Sequence, residues 1–262
     1  MDHPGSAQDF WLDHLGQAHR FNDWVFSQFR DRLGHDVLEI GCGSGNFTQL
    51  IAAAGHQVTG CDIDAAYVAQ AERRLQPYPA AHVLVTDATR ADFGRVFDSV
   101  VLLDVLEHIE DDVGMLRRIR GMLRPGGMLI LKVPAMPFLM CRMDRAIGHY
   151  RRYGKRSLAA RLEEAGFAAV EQRHFNAAAV AAWFINGTLL RRVTPPGGQL
   201  AAFERLVPVL RFLETLLRPG FGISLVTVAK VKDDVLFCGK EPKGLADSDA
   251  AEAEFHKIPE GF

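Results

Sequence analysis

Val37-Leu38-Glu39-Ile40-Gly41-Cys42-Gly43-Ser44-Gly45 joins a short apolar run to three glycines at alternate positions. Val37, Leu38 and Ile40 read as a strand covered on both faces, because parallel strands packed between helices show near-continuous apolar runs in place of alternation. The chain must then turn sharply. Glycine has no Cβ, so it accepts the positive φ angles of such a turn and lets a ligand lie against backbone N–H groups. From Asn46 to Ala54, Phe47, Leu50, Ile51 and Ala54 recur at helical spacing. A helix therefore follows, with its N-terminal amides facing the loop.

Strand-like and helix-like segments continue to alternate beyond this unit. Gln57 to Cys61, His82 to Val85, Phe97 to Leu103 and Met128 to Val133 read as strands two to five, and Ala65 to Leu75 as a helix. Met115, Leu116, Ile119, Met122 and Leu123 form a further helical stripe that Pro125-Gly126-Gly127 stops. Strands alternating with helices imply right-handed crossovers and a parallel, doubly wound α/β sheet. Ser157 to Gly166 then reads as a helix, Ala168 to Arg173 as a sixth strand and Ser224 to Val231 as the last. The fifty or so residues between those strands are too many for a hairpin, so the expectation is an inserted helical cap.

The glycine spacing separates two cofactor classes. A dinucleotide fingerprint is GxGxxG, whereas here the glycines stand at 41, 43 and 45 and position 46 is Asn. Asp62 closes the second strand about twenty residues on, where an acidic side chain can accept hydrogen bonds from both hydroxyls of an adenosine ribose. S-adenosylmethionine and NAD both carry that ribose, so Asp62 does not choose between them. The bland alternative is helix capping by Asp62 or Asp64. Asp87 follows the third strand, and its acceptor-only carboxylate suits an exocyclic amino group; its bland alternative is a turn aspartate.

The GxGxG pattern preceded by Glu39 resembles motif I of the class I S-adenosylmethionine-dependent methyltransferases. Phe97-Asp98-Ser99-Val100-Val101-Leu102-Leu103-Asp104-Val105-Leu106-Glu107-His108-Ile109 resembles the fourth-strand motif of the small-molecule members, and Leu123-Arg124-Pro125-Gly126-Gly127 the turn before their fifth strand. The resemblance covers about residues 37 to 134. It implies a Rossmann-like, mostly parallel seven-stranded sheet with S-adenosylmethionine as donor and S-adenosylhomocysteine as product. The residues it places around the donor are Glu39, Gly41, Cys42, Gly43, Gly45, Asp62, Ile63, Asp87, Ala88, Leu103 and Asp104, with Asp87 at the adenine amino group. Ahead of the loop, His19 to Trp24 lies in a segment that folds over the cofactor in related enzymes, which gives Arg20 a place at the donor. The simpler reading of that segment is a core-facing stripe of Phe21, Trp24, Val25 and Phe29.

The expected organisation is an N-terminal helical segment (1–36), a donor-binding core (37–136), a substrate-side segment with the sixth strand and cap (137–222), the last strand (223–232) and a flexible tail (233–262). A net charge of -2 over 262 residues gives no reason to expect a nucleic-acid partner. Cys42, Cys61, Cys141 and Cys238 show no CxxC or metal-ligand spacing, so reduced thiols in the cytoplasm and no metal site are expected. The first residues show no secretory signal, and no apolar run reaches the length of a membrane span. Oligomeric state is not legible.

Ligands of open α/β sheets bind beyond the carboxyl ends of the strands. The densest feature there is Asp144-Arg145-Ala146-Ile147-Gly148-His149-Tyr150-Arg151-Arg152-Tyr153-Gly154-Lys155-Arg156, strongly basic inside a slightly acidic chain. It resembles the DxxxGHxRRY segment of a bacterial methyltransferase subgroup linked to lipid, glycan or secondary metabolism. Guanidinium groups grip carboxylate or phosphate through a planar fork, which makes Tyr150, Arg151 and Arg152, with Trp183 of the cap, candidates to hold an acceptor. The alternative is a solvated basic face with Asp144 paired to Arg151 or Arg152. Methyl transfer to a hydroxyl gains from a general base; His149 ranks first and His108 second. The apolar cap reads as core, as a substrate tunnel, or as a face resting on a bilayer with Arg191 and Arg192 at headgroup level. The expected acceptor is a small molecule or lipid-like compound with an apolar body and an anionic group. Two rivals stand beside this reading: an NAD-dependent oxidoreductase, and a non-catalytic protein that binds S-adenosylmethionine for regulation or assembly.

Overall fold

The computed structural model describes residues 16–232 apart from position 195. The expected tail and Cys238 lie outside the described residues. Seven strands, β1 (Asp36–Ile40), β2 (Gln57–Asp62), β3 (Ala81–Val85), β4 (Phe97–Leu103), β5 (Leu123–Pro134), β6 (Phe167–Phe175) and β7 (Ser224–Val231), form one sheet in the order β3-β2-β1-β4-β5-β7-β6. The first five run parallel to one another, and β7 is antiparallel to both β5 and β6. The crossovers change direction between β2 and β4, with β1 in the middle. The carboxyl end of β1 is therefore the switch point of the sheet, where such folds open a crevice for ligands.

Every residue of β1 is buried, as its unbroken apolar reading predicts for a central strand. Helices α2 (Asn46–Ala53), α3 (Ala65–Leu75), α4 (Asp112–Met122) and α6 (Lys155–Glu164) cover the sheet, and α5 (Arg142–Ala146) follows β5. Leu102, Leu116, Ile119, Leu129 and Phe167 are completely buried in one core cluster. The segment ahead of the sheet, α1 (His19–Phe26), contributes Trp24, Val25 and Phe26 to the other, which Phe29 joins from just beyond the helix. Trp24 lies 4.6 Å from Phe175, ring centroid to centroid, so the core-stripe reading of this segment holds for Trp24.

Several boundaries differ from the sequence expectation. β5 starts at Leu123, five residues early, because Leu123 pairs with Phe97 and Arg124 forms ion pairs with Asp98 and Asp36. The Pro125-Gly126-Gly127 turn is thus taken up as an irregularity inside the strand, with Gly126 at φ 75°. α6 begins at Lys155, two residues before Ser157, whose hydroxyl accepts from the Gly154 amide as the helix starts. β6 extends to Phe175 because its pairing with β7 continues to Ser224.

The insertion between β6 and β7 is helical, as expected: α7 (Ala178–Trp183), a π-helical turn (Phe184–Leu189) and the long α8 (Gly197–Leu217). Two carboxylates of α8 bond to the start of other helices. Glu204 accepts from the amides of Arg20 and Phe21, and Glu214 from those of Asn176 and Ala177. α1 has no capping side chain of its own, and at α7 Asn176 Oδ1 accepts only from the Ala179 amide, so α8 supplies the further acceptors. Pro208 sits inside α8 and removes one intrahelical hydrogen bond, to the carbonyl of Glu204. Phe203, Val207 and Leu210 turn toward the core, while Leu206, Val209, Phe212, Leu213, Leu216 and Leu217 form an exposed apolar stripe.

Candidate functional site

The glycine loop has the geometry its composition implies. Gly41, Gly43 and Gly45 have φ angles of 76°, 50° and 80°, in the left-handed region that glycine enters without a Cβ penalty. The amides of Gly41 and Cys42 both donate to the Cys61 carbonyl at 2.8 and 3.0 Å, tying the loop to the end of β2. The Gly43 amide donates to Asp62 Oδ2 at 2.9 Å, and the Asp64 amide to Asp62 Oδ1 at 3.0 Å. Capping of α3 falls to Asp64, which accepts from the Ala66 amide at 2.7 Å. Asp62 is left to shape the loop, with spare lone pairs for a diol. Beside it Ile63 is 75% exposed, an apolar side chain presented at the mouth of the crevice.

Glu39 lies beneath the loop, 2% exposed, and accepts a hydrogen bond from the Thr48 hydroxyl. Burial pushes its carboxyl from 4.5 up to about 8, against the Thr48 hydrogen bond and aided by the charge of Asp62. The folded chain therefore holds a proton on Glu39 between those two values while the unfolded chain has lost it. Stability falls as pH rises through that window and is unaffected by this group below it. Glu39→Gln, neutral and nearly isosteric, is expected to match the wild type at pH 4.5 and to exceed it at pH 8.5 by on the order of a few kcal/mol. Denaturant titrations of both ligand-free proteins at the two pH values check this. An equal response to pH in both would show Glu39 to be ionised in the fold.

Asp87 is more exposed than Asp62 and is engaged locally. Its Oδ1 accepts from the Thr89 hydroxyl and amide, and those bonds hold its carboxyl below the usual range. Its turn-forming role is thus realised, and Oδ2 carries only a 3.9 Å approach to Arg90. Ala88 next to it is buried. Cys42, Cys61 and Cys141 are free and buried, and burial pushes the Cys61 thiol up to about 12, so it is an inert packing group. Arg20 is exposed on α1, tied to the cap through its amide and not through its guanidinium.

The opposite end of the crevice, beyond β4, is dense in charge. Leu103 ends the strand, and Asp104 follows at φ 55°, a left-handed conformation that aspartate tolerates better than most residues. Its carboxylate pairs with Lys132, which is 6% exposed on β5. Glu107 is completely buried, and among the described residues neither of its carboxylate oxygens has a hydrogen-bond partner. Burial, reinforced by the charge of Asp104, raises its pKa well above the ordinary carboxylate value.

His108 and His149 meet edge to face, with ring centroids 4.7 Å apart. Burial, with a contribution from His149, lowers the pKa of His108 to about 4 and leaves its ring neutral. His149 Nδ1 lies 3.0 Å from Asp144 Oδ1, and its Nε2 lies 3.7 Å from Glu107 Oε1. Burial pushes the Asp144 carboxyl up, but bonds from His149 and Arg152 outweigh that and hold it below its ordinary value. An ionised carboxylate only accepts, so the Nδ1–H of His149 donates to Asp144 and Nε2 is the nitrogen that faces Glu107. Forty-one positions of sequence separate His108 from His149, and the strap after α5 brings them together.

That strap accounts for the basic segment. Arg152 is 6% exposed and donates to Asp144 at 2.7 Å and to the Ala135 carbonyl at 2.9 Å, with Trp183 stacked 4.7 Å from its guanidinium carbon. Arg151 pairs with Asp112 at 2.9 Å and donates to the carbonyls of Ile109 and Glu110. Asp112 also accepts from the Tyr153 hydroxyl and from Arg161. The two guanidinium groups expected to grip an anion are thus committed to two buried aspartates, and Arg152 and Trp183 act as struts. Tyr150 remains 54% exposed, its amide bonded to the Glu107 carbonyl. Sequence reading missed Glu107 and Lys132 as members of the site. A lone lysine inside Met128-Leu129-Ile130-Leu131-Lys132-Val133 was the available signal, since a buried cation requires a buried partner.

Residues 38–129 match a family model described as a methyltransferase domain. A probable S-adenosylmethionine-dependent methyltransferase of Mycolicibacterium smegmatis is 30% identical over 168 residues, covering 63% of this chain and 62% of that protein. A ubiquinone biosynthesis O-methyltransferase of Aeromonas salmonicida is 29% identical over 131 residues, or 46% and 55% of the two chains. The chain thus spans less than two thirds of the length of these relatives. Among solved structures, a Burkholderia thailandensis 1,6-didemethyltoxoflavin-N1-methyltransferase with bound 1,6-didemethyltoxoflavin and S-adenosylhomocysteine superposes with a TM-score of 0.56. Its identity is 21%, with 87% of this chain and 84% of that one covered, and it shares the fold.

Proposed function

We propose that this chain, whose residues 38–129 belong to the class I S-adenosylmethionine-dependent methyltransferases, transfers a methyl group to a hydroxyl of an apolar small-molecule or lipid-like acceptor. S-adenosylmethionine, when bound, supplies a sulfonium methyl that leaves by in-line displacement. The residues present suit it. Asp62 offers lone pairs to the ribose diol, Ile63 an apolar face to the base, and the positive-φ glycines a backbone with no Cβ in the way. Asp87 Oδ2 is the acceptor for the adenine amino group. No covalent nucleophile is required, because alignment and exclusion of water lower the barrier. Activation of the acceptor hydroxyl falls to His149 and His108, at the end of the crevice away from Asp62.

The observation that carries the acceptor class is the exposed apolar face of the cap. Phe184, Ile185, Leu189 and Leu190 on the π-helical turn and its end are exposed, as is the apolar stripe of α8, and Arg191, Arg192, Arg205, Arg211 and Arg218 of the same insertion are exposed as well. An exposed apolar face on an insertion with exposed arginines suits contact with an anionic bilayer, from which an apolar acceptor enters. No helix among the described residues is long and apolar enough to cross a membrane. Arg151 and Arg152 are paired internally and so offer no free guanidinium to an anionic group of the acceptor.

The test is acceptor screening. A cell extract is divided into organic-soluble and aqueous fractions, each incubated with protein and S-adenosylmethionine, and S-adenosylhomocysteine release is measured. Turnover is expected with the organic-soluble fraction. Turnover confined to the aqueous fraction would refute an apolar acceptor.

A further inference from the structure

Glu107, His108 and His149 each direct a ligand atom into one space, and these atoms all lie within 4.8 Å of one another. We propose that this trio binds a divalent cation of the zinc type, with an open position facing the acceptor.

Four observations support the site. Glu107 is fully buried with both carboxylate oxygens lacking a hydrogen-bond partner among the described residues, a costly arrangement that coordination would resolve. The His149 Nε2 to Glu107 Oε1 distance of 3.7 Å is close to the span of about 3.4 Å between two tetrahedral ligands at 2.1 Å from an ion. His149 has an outer partner on its other side: Asp144 holds its Nδ1, and a carboxylate is a usual partner of metal-bound histidine. Finally, the surrounding charge favours a cation. Lys132 is neutralised by Asp104 and Arg152 by Asp144, which leaves Glu107 as the uncompensated acid.

Two histidines and one carboxylate with a vacant fourth position form a donor set suited to Zn²⁺ or Co²⁺ catalysis. The inference deepens the methyl-transfer reading and rests on it for its chemistry. An acceptor hydroxyl at the open position loses its proton to solvent more readily. The oxygen anion then bonds to the methyl carbon as the carbon–sulfur bond breaks, and sulfur keeps the bonding pair. The Nε2 lone pair of His149 serves in this arrangement as ligand.

The full chain, stripped with a chelator, is dialysed separately against Zn²⁺ and Co²⁺, and bound metal is counted by mass spectrometry. One saturable equivalent is expected, with the visible absorption of tetrahedral or five-coordinate Co²⁺. Glu107→Gln, His108→Ala and His149→Ala should each weaken binding by about 100-fold or more. Retained S-adenosylhomocysteine binding shows that each variant is folded, and the wild-type stoichiometry and Co²⁺ spectrum stand without them. Absence of a saturable equivalent in wild type, or unchanged affinity in all three folded variants, overturns the proposal. Methyl transfer at full rate by chelated, metal-free protein overturns it as well and leaves the methyltransferase reading intact.

Discussion

Asp144→Asn is expected to lower the melting temperature by about 6 to 20 °C, the largest single-residue effect the structure implies. Asp144 is completely buried and accepts from the Cys141 amide at 2.9 Å, from Arg152 Nε at 2.7 Å and from His149 Nδ1 at 3.0 Å. Asparagine keeps the volume and loses the charge. Arg152 is then a buried guanidinium with no carboxylate, and breaking such a pair from one side costs about 3 to 5 kcal/mol. For a chain of this size each kcal/mol moves the melting point by roughly 2 to 4 °C. The loss is local in origin, since Arg152 also carries the Ala135 carbonyl and the Trp183 ring. Differential scanning calorimetry decides it. A shift under about 2 °C, the range of ordinary surface substitutions, would mean that the strap is not held by this pair.

Gly41→Ala is expected to reduce affinity for S-adenosylhomocysteine by at least about 100-fold, equivalent to about 2.7 kcal/mol. At φ 76° an alanine is strained by about 1 to 2 kcal/mol. Its Cβ would also stand 2.4 Å from Val105 Cγ2, and overpacking of that kind adds about 1 to 3 kcal/mol. The loop relieves both by moving, and movement takes the Gly43 amide off Asp62. Gly55→Ala is the control: its φ is 92°, but nothing lies within 4 Å of the added carbon. It should cost stability alone and leave binding unchanged. Isothermal titration of both variants separates the cases, and an affinity for Gly41→Ala within about threefold of wild type would detach the loop from the donor site.

The geometry of the glycine-loop end of the crevice was legible in the sequence because its signals are local. Three glycines at alternate positions can only be a turn, and Asp62 stands at the end of a strand whose boundaries are visible. The same locality explained Asp64, whose capping role follows from its place just ahead of α3. The opposite end, around His108 and His149, was legible only in part. His149 and His108 were recognisable as candidates, yet their pairing depends on a strap that folds back across β4. Periodicity does not encode that return. Arg151 and Arg152 misled for a related reason: a run of cations looks free until the buried aspartates opposite it are placed, and Asp112 lies some forty residues away. The cap was half legible. Its apolar residues were visible, but which stripe of α8 faces the core depends on Glu204 and Glu214 reaching α1 and α7.

S-adenosylmethionine is expected to bind at the loop of Gly41, Gly43 and Gly45 with Asp62. Calorimetric titration of S-adenosylhomocysteine into the ligand-free chain, with NAD in a parallel cell, tests it most directly. Saturable one-to-one binding of the sulfur nucleoside and no heat from NAD is the predicted result. A folded sample that binds NAD, or that binds neither, would contradict it.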